Sequence, residues 1–232
     1  MSMSTLSLSV ALCCSLLFMH RKLSTLNHII DDGTIVIVRL DDADEAYRAS
    51  EAAIAGGIRA IEVTLSTPGA LRVIERLVEA HGSNVSIGAG TVLDSPSAYA
   101  SISAGASFLV SPHLSREMIR TANRYQVPTI SGAYTPTEIV ESIEEGADIV
   151  KLFPAEIGPD YVRAVLAPLS HVALMPAGGV SAGNAKTWFD AGVVAVGVGS
   201  SITKAARPDG DYSRVTTAAR DFLAAVRDAR QR

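Results

Sequence analysis

Eight times in succession a short apolar run gives way to a helix-forming stretch, and these runs begin near residues 34, 58, 84, 106, 127, 148, 172 and 193. Parallel strands cannot be joined by a tight turn. Each needs a crossover of a dozen or more residues, usually a helix, and a repeat of about 20 to 26 residues holds one strand and one such crossover. The runs are apolar on both faces, as strands covered on both sides must be. Eight such units are the number that closes a barrel, and closure removes the unpaired edges an open sheet would leave. The rival, an open doubly wound sheet, carries a glycine-rich dinucleotide fingerprint after an early strand. None occurs there, and GVGSS at 197–201 has the wrong position and spacing. The expected fold is α/β, a TIM (β/α)8 barrel with a short N-terminal helix, and residues 21–232 are expected to form a single domain.

Local signals place the elements. A helix over Lys22–Ile30 is ended by Asp31, Asp32 and Gly33. Strands are expected within Thr34–Leu40, Ile58–Leu65, Asn84–Gly90, Ala106–Pro112, Val127–Gly132, Asp148–Ala155, Val172–Gly179 and Val193–Ser201. A helix follows each, among them Pro68–Ala80 with its proline in the first turn, and Asp211–Arg230 closes the chain.

Composition narrows the function classes. A chain of 232 residues, 48% hydrophobic, buries a sizeable core. Its net charge of -4 comes without a basic stripe or aromatic platform, so no nucleic acid partner is expected. The two cysteines, Cys13 and Cys14, are adjacent and cannot staple distant parts of a core, which points to a reducing compartment and a cytoplasmic protein. Residues 1–20 stand apart. Their run SVALCCSLLFM, Ser9–Met19, resembles the apolar part of a secretory signal, yet no Lys or Arg precedes it and no clear cleavage site follows. It is also short for a membrane span, and no stable membrane partner is expected. A targeting segment, a loosely packed extension and upstream sequence before the true start all fit it. His28, His81, His113 and His171 show no metal-ligand spacing, so neither metal nor cofactor is expected.

In such barrels the chemistry sits where strands end and βα loops begin. In DIVKLFPA, residues 148–155, Lys151 shares a face with Ile149 and Phe153 while Val150 and Leu152 take the other. An ammonium on a buried face is unfavourable. The lysine therefore runs its amine out to water, pairs with a carboxylate, or loses its proton and becomes a nucleophile. In IRAIEVTL, Ile61, Val63 and Leu65 form the more apolar face and should meet the helices, which turns Glu62 and Thr64 to the mouth. Lys151 and Glu62 are then either a buried ion pair or an amine nucleophile beside its acid/base partner. Arg39 ends the first strand and Thr91 follows the third, on the same side. AGGV at 177–180 and GVGSS at 197–201 place glycines where backbone N–H groups can approach an anion, after the two strands whose loops commonly hold phosphate in this architecture.

Taken in order, these stretches resemble the class I aldolases that cleave 2-keto-3-deoxy-6-phosphogluconate, and their relatives acting on 2-keto-4-hydroxyglutarate or on the galactonate isomer. The resemblance rests on IVIVR at 35–39, GGIRAIEVTL at 56–65, IGAGTVL at 87–93, VKLFPAE at 150–156, PAGGV at 176–180 and GVGSS at 197–201, and it spans roughly Leu23 to Arg230. It implies a metal-independent carbon–carbon lyase that splits a 2-keto-3-deoxy-6-phospho sugar acid into pyruvate and glyceraldehyde 3-phosphate. Lys151 would carry the Schiff base, and Glu62 would move protons, partly through water. Thr91 would bind the substrate carboxylate, with Arg39, Phe153 and Pro154 also against the substrate. Gly178, Gly179, Gly199 and Ser200 would cradle phosphate, and the assembly would be a homotrimer.

Three departures from the family pattern bear on the substrate. Ser66 stands where phosphogluconate-type members carry an arginine, Ala177 where threonine is common, and Ser131-Gly132 where Pro-Gly is usual. A guanidinium clamps an anion through two hydrogen bonds and a serine cannot replace its charge, so Arg39 is the expected compensation. IGPDYVRAVLAP, residues 157–168, looks more like the galactonate branch. The gluconate, galactonate and hydroxyglutarate substrates stay open on these residues. So do a catalytically silent sugar-phosphate-binding barrel and a phosphosugar isomerase.

Overall fold

The structure, a computed structural model, describes residues 21–207 and 209–231; the run Ser9–Met19 and the readings attached to residues 1–20 lie outside them. Eight strands alternate with helices: β1 (Thr34–Val38), β2 (Ala60–Thr64), β3 (Ser86–Gly90), β4 (Leu109–Val110), β5 (Thr129–Ala133), β6 (Ile149–Leu152), β7 (Leu174–Pro176) and β8 (Val196–Val198). Every pairing is parallel, each of β1 to β6 pairs with the next strand, and β8 returns to pair with β1. The remaining seam is closed by a single bridge, Ala177 with Gly197, and by the Val194 N–H donating to the Leu174 carbonyl at 3.0 Å. The expected TIM barrel is the fold.

The strand cores are shorter than the apolar runs, most of all at β4. There the expected extent is Ala106–Pro112 and two residues pair regularly; beyond them Pro112 has no N–H to continue a ladder. Helices α2 (Ala43–Ala55), α3 (Ala70–His81), α4 (Ser95–Ser103), α5 (Arg116–Arg124), α6 (Pro136–Glu144), α7 (Pro159–Leu166) and α8 (Ala185–Asp190) fill the crossovers. α9 (Ser200–Thr203) and α10 (Ser213–Arg230) follow β8. Side chains of Asp42, Asp94, Ser115 and Thr135 cap α2, α4, α5 and α6 by accepting from N–H groups of the first turn. Pro68 is not in the first turn of α3. It lies in the turn before Gly69, which precedes the helix at φ 71°, where a side chain would be strained.

Strand alternation divides the core into two layers. Val36, Val38, Ile61, Val63, Val150 and Leu152 pack outward against the helices, while Ile35, Ala60, Phe108, Val110, Ile130, Ile149, Met175 and Ala195 fill the interior. A helix over residues 21–32, α1, closes the N-terminal end of the barrel by placing Ile29 in the interior layer, with Leu26 against it. It is fastened by Lys22 to Asp148 at 2.8 Å, Asp32 to Arg59 at 2.9 Å and His28 Nδ1 to Ser86 Oγ at 3.0 Å. Among the described residues no helix is long and apolar enough to cross a membrane.

Candidate active site

The interior alternation carries Glu62 and Lys151 to the same place. Glu62 is in register with Gly88 on β3, and Lys151 with Gly132 on β5. Their side chains point into the barrel because Ile61, Val63, Val150 and Leu152 take the helix side. Glu62 is fully buried and Lys151 is 3% exposed. The Lys151 Nζ lies 3.7 Å from Glu62 Oε1, inside ion-pair range but beyond a hydrogen bond, and neither Glu62 oxygen accepts one from a protein group. This is a single loose contact, not the bidentate pair that would lock the amine as an ammonium. A buried carboxylate with its acceptor capacity unused can take up a proton and hand it on.

Room for that carboxylate comes from a glycine. A Cβ on Gly90 would stand 2.0 Å from Glu62 Oε1 and 2.5 Å from its Cδ. A Cβ on Gly88 would strike the Phe108 ring at 2.4 Å, and one on Gly132 would strike the carbonyl carbon of Pro112 at 2.2 Å. The two glycines of SIGAG, Gly88 and Gly90, thus have separate duties, one for packing and one for Glu62.

Lys151 opens on a cavity of about 480 Å³ at the C-terminal ends of the strands. Its walls are Ile37 in β1 and Arg39 just after it, Phe153 after β6, Ala177 to Val180 after β7, and Gly197, Gly199, Ser200, Ser201, Thr203 and Lys204 from β8, α9 and its ends. The Phe153 ring centroid is 5.3 Å from the Lys151 Nζ, close enough for its face to attract a cation. Among the described residues three cationic side chains line the cavity, Arg39, Lys151 and Lys204, and no carboxylate does. Gly178 and Gly179 adopt φ of 105° and 69°, a backbone that side chains rarely adopt and that suits a loop offering its N–H groups to an anion. Among the described residues no group of three or more His, Cys, Asp or Glu is placed to hold a metal ion.

Of the residues singled out from sequence, Arg39, Lys151, Phe153, Gly178, Gly179, Gly199 and Ser200 line this one cavity, with Glu62 standing behind Lys151. Two do not line it. Pro154 is exposed beyond a cis Phe153–Pro154 bond, and Thr91, half-buried after β3, is not on the wall. Thr91 holds φ 58°, a left-handed backbone that is rare for a β-branched residue and typical of strained functional loops. Ser66 is exposed, and its hydroxyl lies 3.0 Å from that of Thr64, so a held hydroxyl occupies the place of the missing guanidinium. Ser131 faces the helices, hydrogen-bonded to Ser142 of α6 at 2.9 Å, and that departure does not reach the site. Lys204 was missed. Its signal was the helical spacing Ser200, Thr203, Lys204, which puts three polar residues on one face after GVG.

A closed barrel whose mouth holds a buried amine against a carboxylate, under a cationic cavity, is a framework for aldol cleavage, and comparison with known proteins puts the chain in that class. The family model for KDPG and KHG aldolase matches residues 26–218. The chain belongs to the KDPG and KHG aldolase family, and it is therefore a lyase of the aldolase type. It is 35% identical over 199 residues to the 2-dehydro-3-deoxy-6-phosphogalactonate aldolase of Escherichia coli K12, covering 85% of this chain and 96% of that one. With the 2-dehydro-3-deoxy-phosphogluconate aldolase of Pseudomonas aeruginosa it shares 32% over 209 residues, covering 88% and 94%. Among solved structures, native KDPGal superposes with a TM-score of 0.80 at 35% identity, covering 86% of this chain and 96% of the other. The Legionella pneumophila KDPG aldolase with pyruvate captured as a covalent carbinolamine superposes with a TM-score of 0.72 at 29% identity, covering 81% and 92%.

Proposed function

We propose that the protein is a Schiff-base-forming aldolase that splits a 2-keto-3-deoxy-6-phospho sugar acid into pyruvate and glyceraldehyde 3-phosphate. The observation that carries this reading is the buried Lys151 amine at the cavity floor, 3.7 Å from a carboxylate that no protein group occupies. The neutral amine adds to the C2 ketone, and Glu62 passes the protons needed to expel water from the carbinolamine as the iminium forms. The iminium accepts the electron pair of the C3–C4 bond once the C4 hydroxyl is deprotonated, leaving an aldehyde and the enamine of pyruvate. Protonation at C3 and hydrolysis free pyruvate and the lysine. The protonated imine is the electron sink, so the step needs no bound cation.

The remaining assignments follow this chemistry. Arg39 and Thr91 take the substrate carboxylate end, and Phe153 and Pro154 shape the approach to the imine. Gly178, Gly179, Gly199 and Ser200 receive the phosphate through backbone N–H groups at two adjacent loops. Pyruvate captured as a carbinolamine in the Legionella relative supports the covalent route. The Escherichia coli relative's name supports the galactonate isomer as a second substrate reading. We place the reaction in residues 21–232 as one catalytic domain, assembled as a cytoplasmic homotrimer.

Borohydride reduction in the presence of pyruvate, followed by peptide mass spectrometry, tests the core of the proposal. A pyruvate-sized adduct on Lys151, absent from Lys151→Ala, is the expected result. Folded protein that binds pyruvate and yields no adduct would leave a sugar-phosphate-binding barrel as the better reading.

A further inference from the structure

The glycine loops offer a phosphate only neutral N–H groups, and a dianion brought out of water also needs opposite charge. Of the three cations on the cavity wall, Lys151 is buried at the floor and committed to the reacting carbon. Arg39 follows β1. Lys204 stands at the C-terminal end of α9, on the same short helix as Ser200 and Thr203, on the wall formed by the β8 loop. Its backbone is held in place: the Lys204 N–H donates to the Ser200 carbonyl at 3.2 Å, and the Thr203 hydroxyl donates to the Gly199 carbonyl at 3.3 Å.

Two acidic residues near this loop, Glu45 and Asp41, are already occupied. Arg207, three residues on, donates to Glu45 at 2.9 Å and to Asp41 at 3.4 Å, tying the loop to the start of α2. Lys204 itself makes no ion pair among the described residues, and the cavity it faces contains no carboxylate on its wall. An exposed lysine beside two glycine loops, with Glu45 and Asp41 held by Arg207, is left available to a ligand.

We infer that Lys204 determines preference for a phosphorylated aldehyde end, supplying the charge that complements the backbone donors of the β7 and β8 loops. The inference rests on the aldolase reading for the identity of the ligand, and on the cavity alone for its being a phosphate monoester. In the condensation direction, Lys204→Met should lower kcat/KM for glyceraldehyde 3-phosphate by about 10- to 100-fold while leaving unphosphorylated glyceraldehyde within about twofold. Lys204→Arg should restore most of the preference, and added salt should narrow the wild-type ratio between the two aldehydes and leave that of Lys204→Met flat.

Calorimetric titration with glycerol 3-phosphate gives a readout without turnover, and its Kd should rise about tenfold in Lys204→Met. Equal losses for both aldehydes, or an unchanged Kd, would overturn the assignment. Failure of the aldolase reading is separately visible as the absence of a trapped pyruvate adduct, and weakened glycerol 3-phosphate binding in Lys204→Met would then still assign Lys204 to the phosphate.

Discussion

Gly90→Ala tests whether the site is built around space for Glu62. The backbone of Gly90 needs no left-handed conformation, so alanine is objectionable there only for what its methyl group meets. That group would lie 2.0 Å from Glu62 Oε1, 2.5 Å from Cδ and 2.6 Å from Cγ. Ordinary contact requires ~3.5 Å, so the carboxylate must retreat by ~1.5 Å within a fully buried site. Overpacking of this kind costs about 1–3 kcal/mol, and in a chain of this length each kcal/mol lowers Tm by about 2–4 °C. A displacement beyond ~1 Å at a proton-transfer group lowers turnover about 100-fold. Gly90→Ala should therefore melt several degrees early and lose about two orders of magnitude in kcat, with the pyruvate adduct forming slowly. The decisive measurement is a double-mutant cycle with Glu62→Ala. Once the carboxylate is gone the methyl group has room, and Gly90→Ala should cost little further stability, giving a coupling of about 1–3 kcal/mol. Gly88→Ala, whose methyl group strikes Phe108 instead, should be destabilising in both backgrounds alike. If Gly90→Ala behaves as Gly88→Ala does, or leaves kcat and Tm at wild-type values, the spatial argument is wrong.

Three further outcomes are expected. Thr91→Gly relieves a backbone strain of about 1–2 kcal/mol, partly offset by the flexibility of glycine in the unfolded chain; Tm should hold or rise by a few degrees while kcat/KM falls at least about tenfold, and a lowered Tm would refute the strain. Ile29→Ala empties part of the barrel floor and should cost about 2–5 kcal/mol by urea unfolding while kcat on the surviving folded protein stays near wild type. Burial first, and then the neighbouring Arg59 guanidinium, hold the pKa of His28 below its ordinary 6.5 against the opposing pull of Asp32 and Asp31. The unfolded chain then takes up the proton first as pH falls, so the stability present above pH 6.5 is lost on acidification towards the folded-state value. His28→Gln should flatten the urea midpoint between about pH 7 and pH 5, and an unaltered pH profile would count against the effect.

The barrel and the Lys151–Glu62 pair were legible because both depend on period. A repeat of about 20 to 26 residues counts the units, and a period of two decides which side of a strand is wet or dry. Strand length was less legible: the expected run Ala106–Pro112 is longer at both ends than the paired residues of β4, Leu109–Val110, since hydrophobicity marks burial and not hydrogen bonding. The partner of a glycine is invisible in one dimension. Nothing local to Gly90 announces Glu62, which is 28 positions earlier and meets it only through the β2–β3 register. Thr91 and Pro154 lie beside the cavity and not on its wall, because sequence position does not set the direction of a loop side chain. Lys204 escaped notice because a surface lysine is ordinary until its loop is known to fold over the mouth.

The last seam of the ring has a consequence for how the molecule moves. β2 and β3 are in register over five residue pairs, whereas the seam between β7 and β8 holds one bridge and the Val194 to Leu174 hydrogen bond, and the bridge lies just before the Gly178–Gly179 turn and Gly199. The ring is thus lightly fastened where its two glycine loops meet. A ligand that accepts hydrogen bonds from both loops would span the line like a rivet and add to what holds the ring shut.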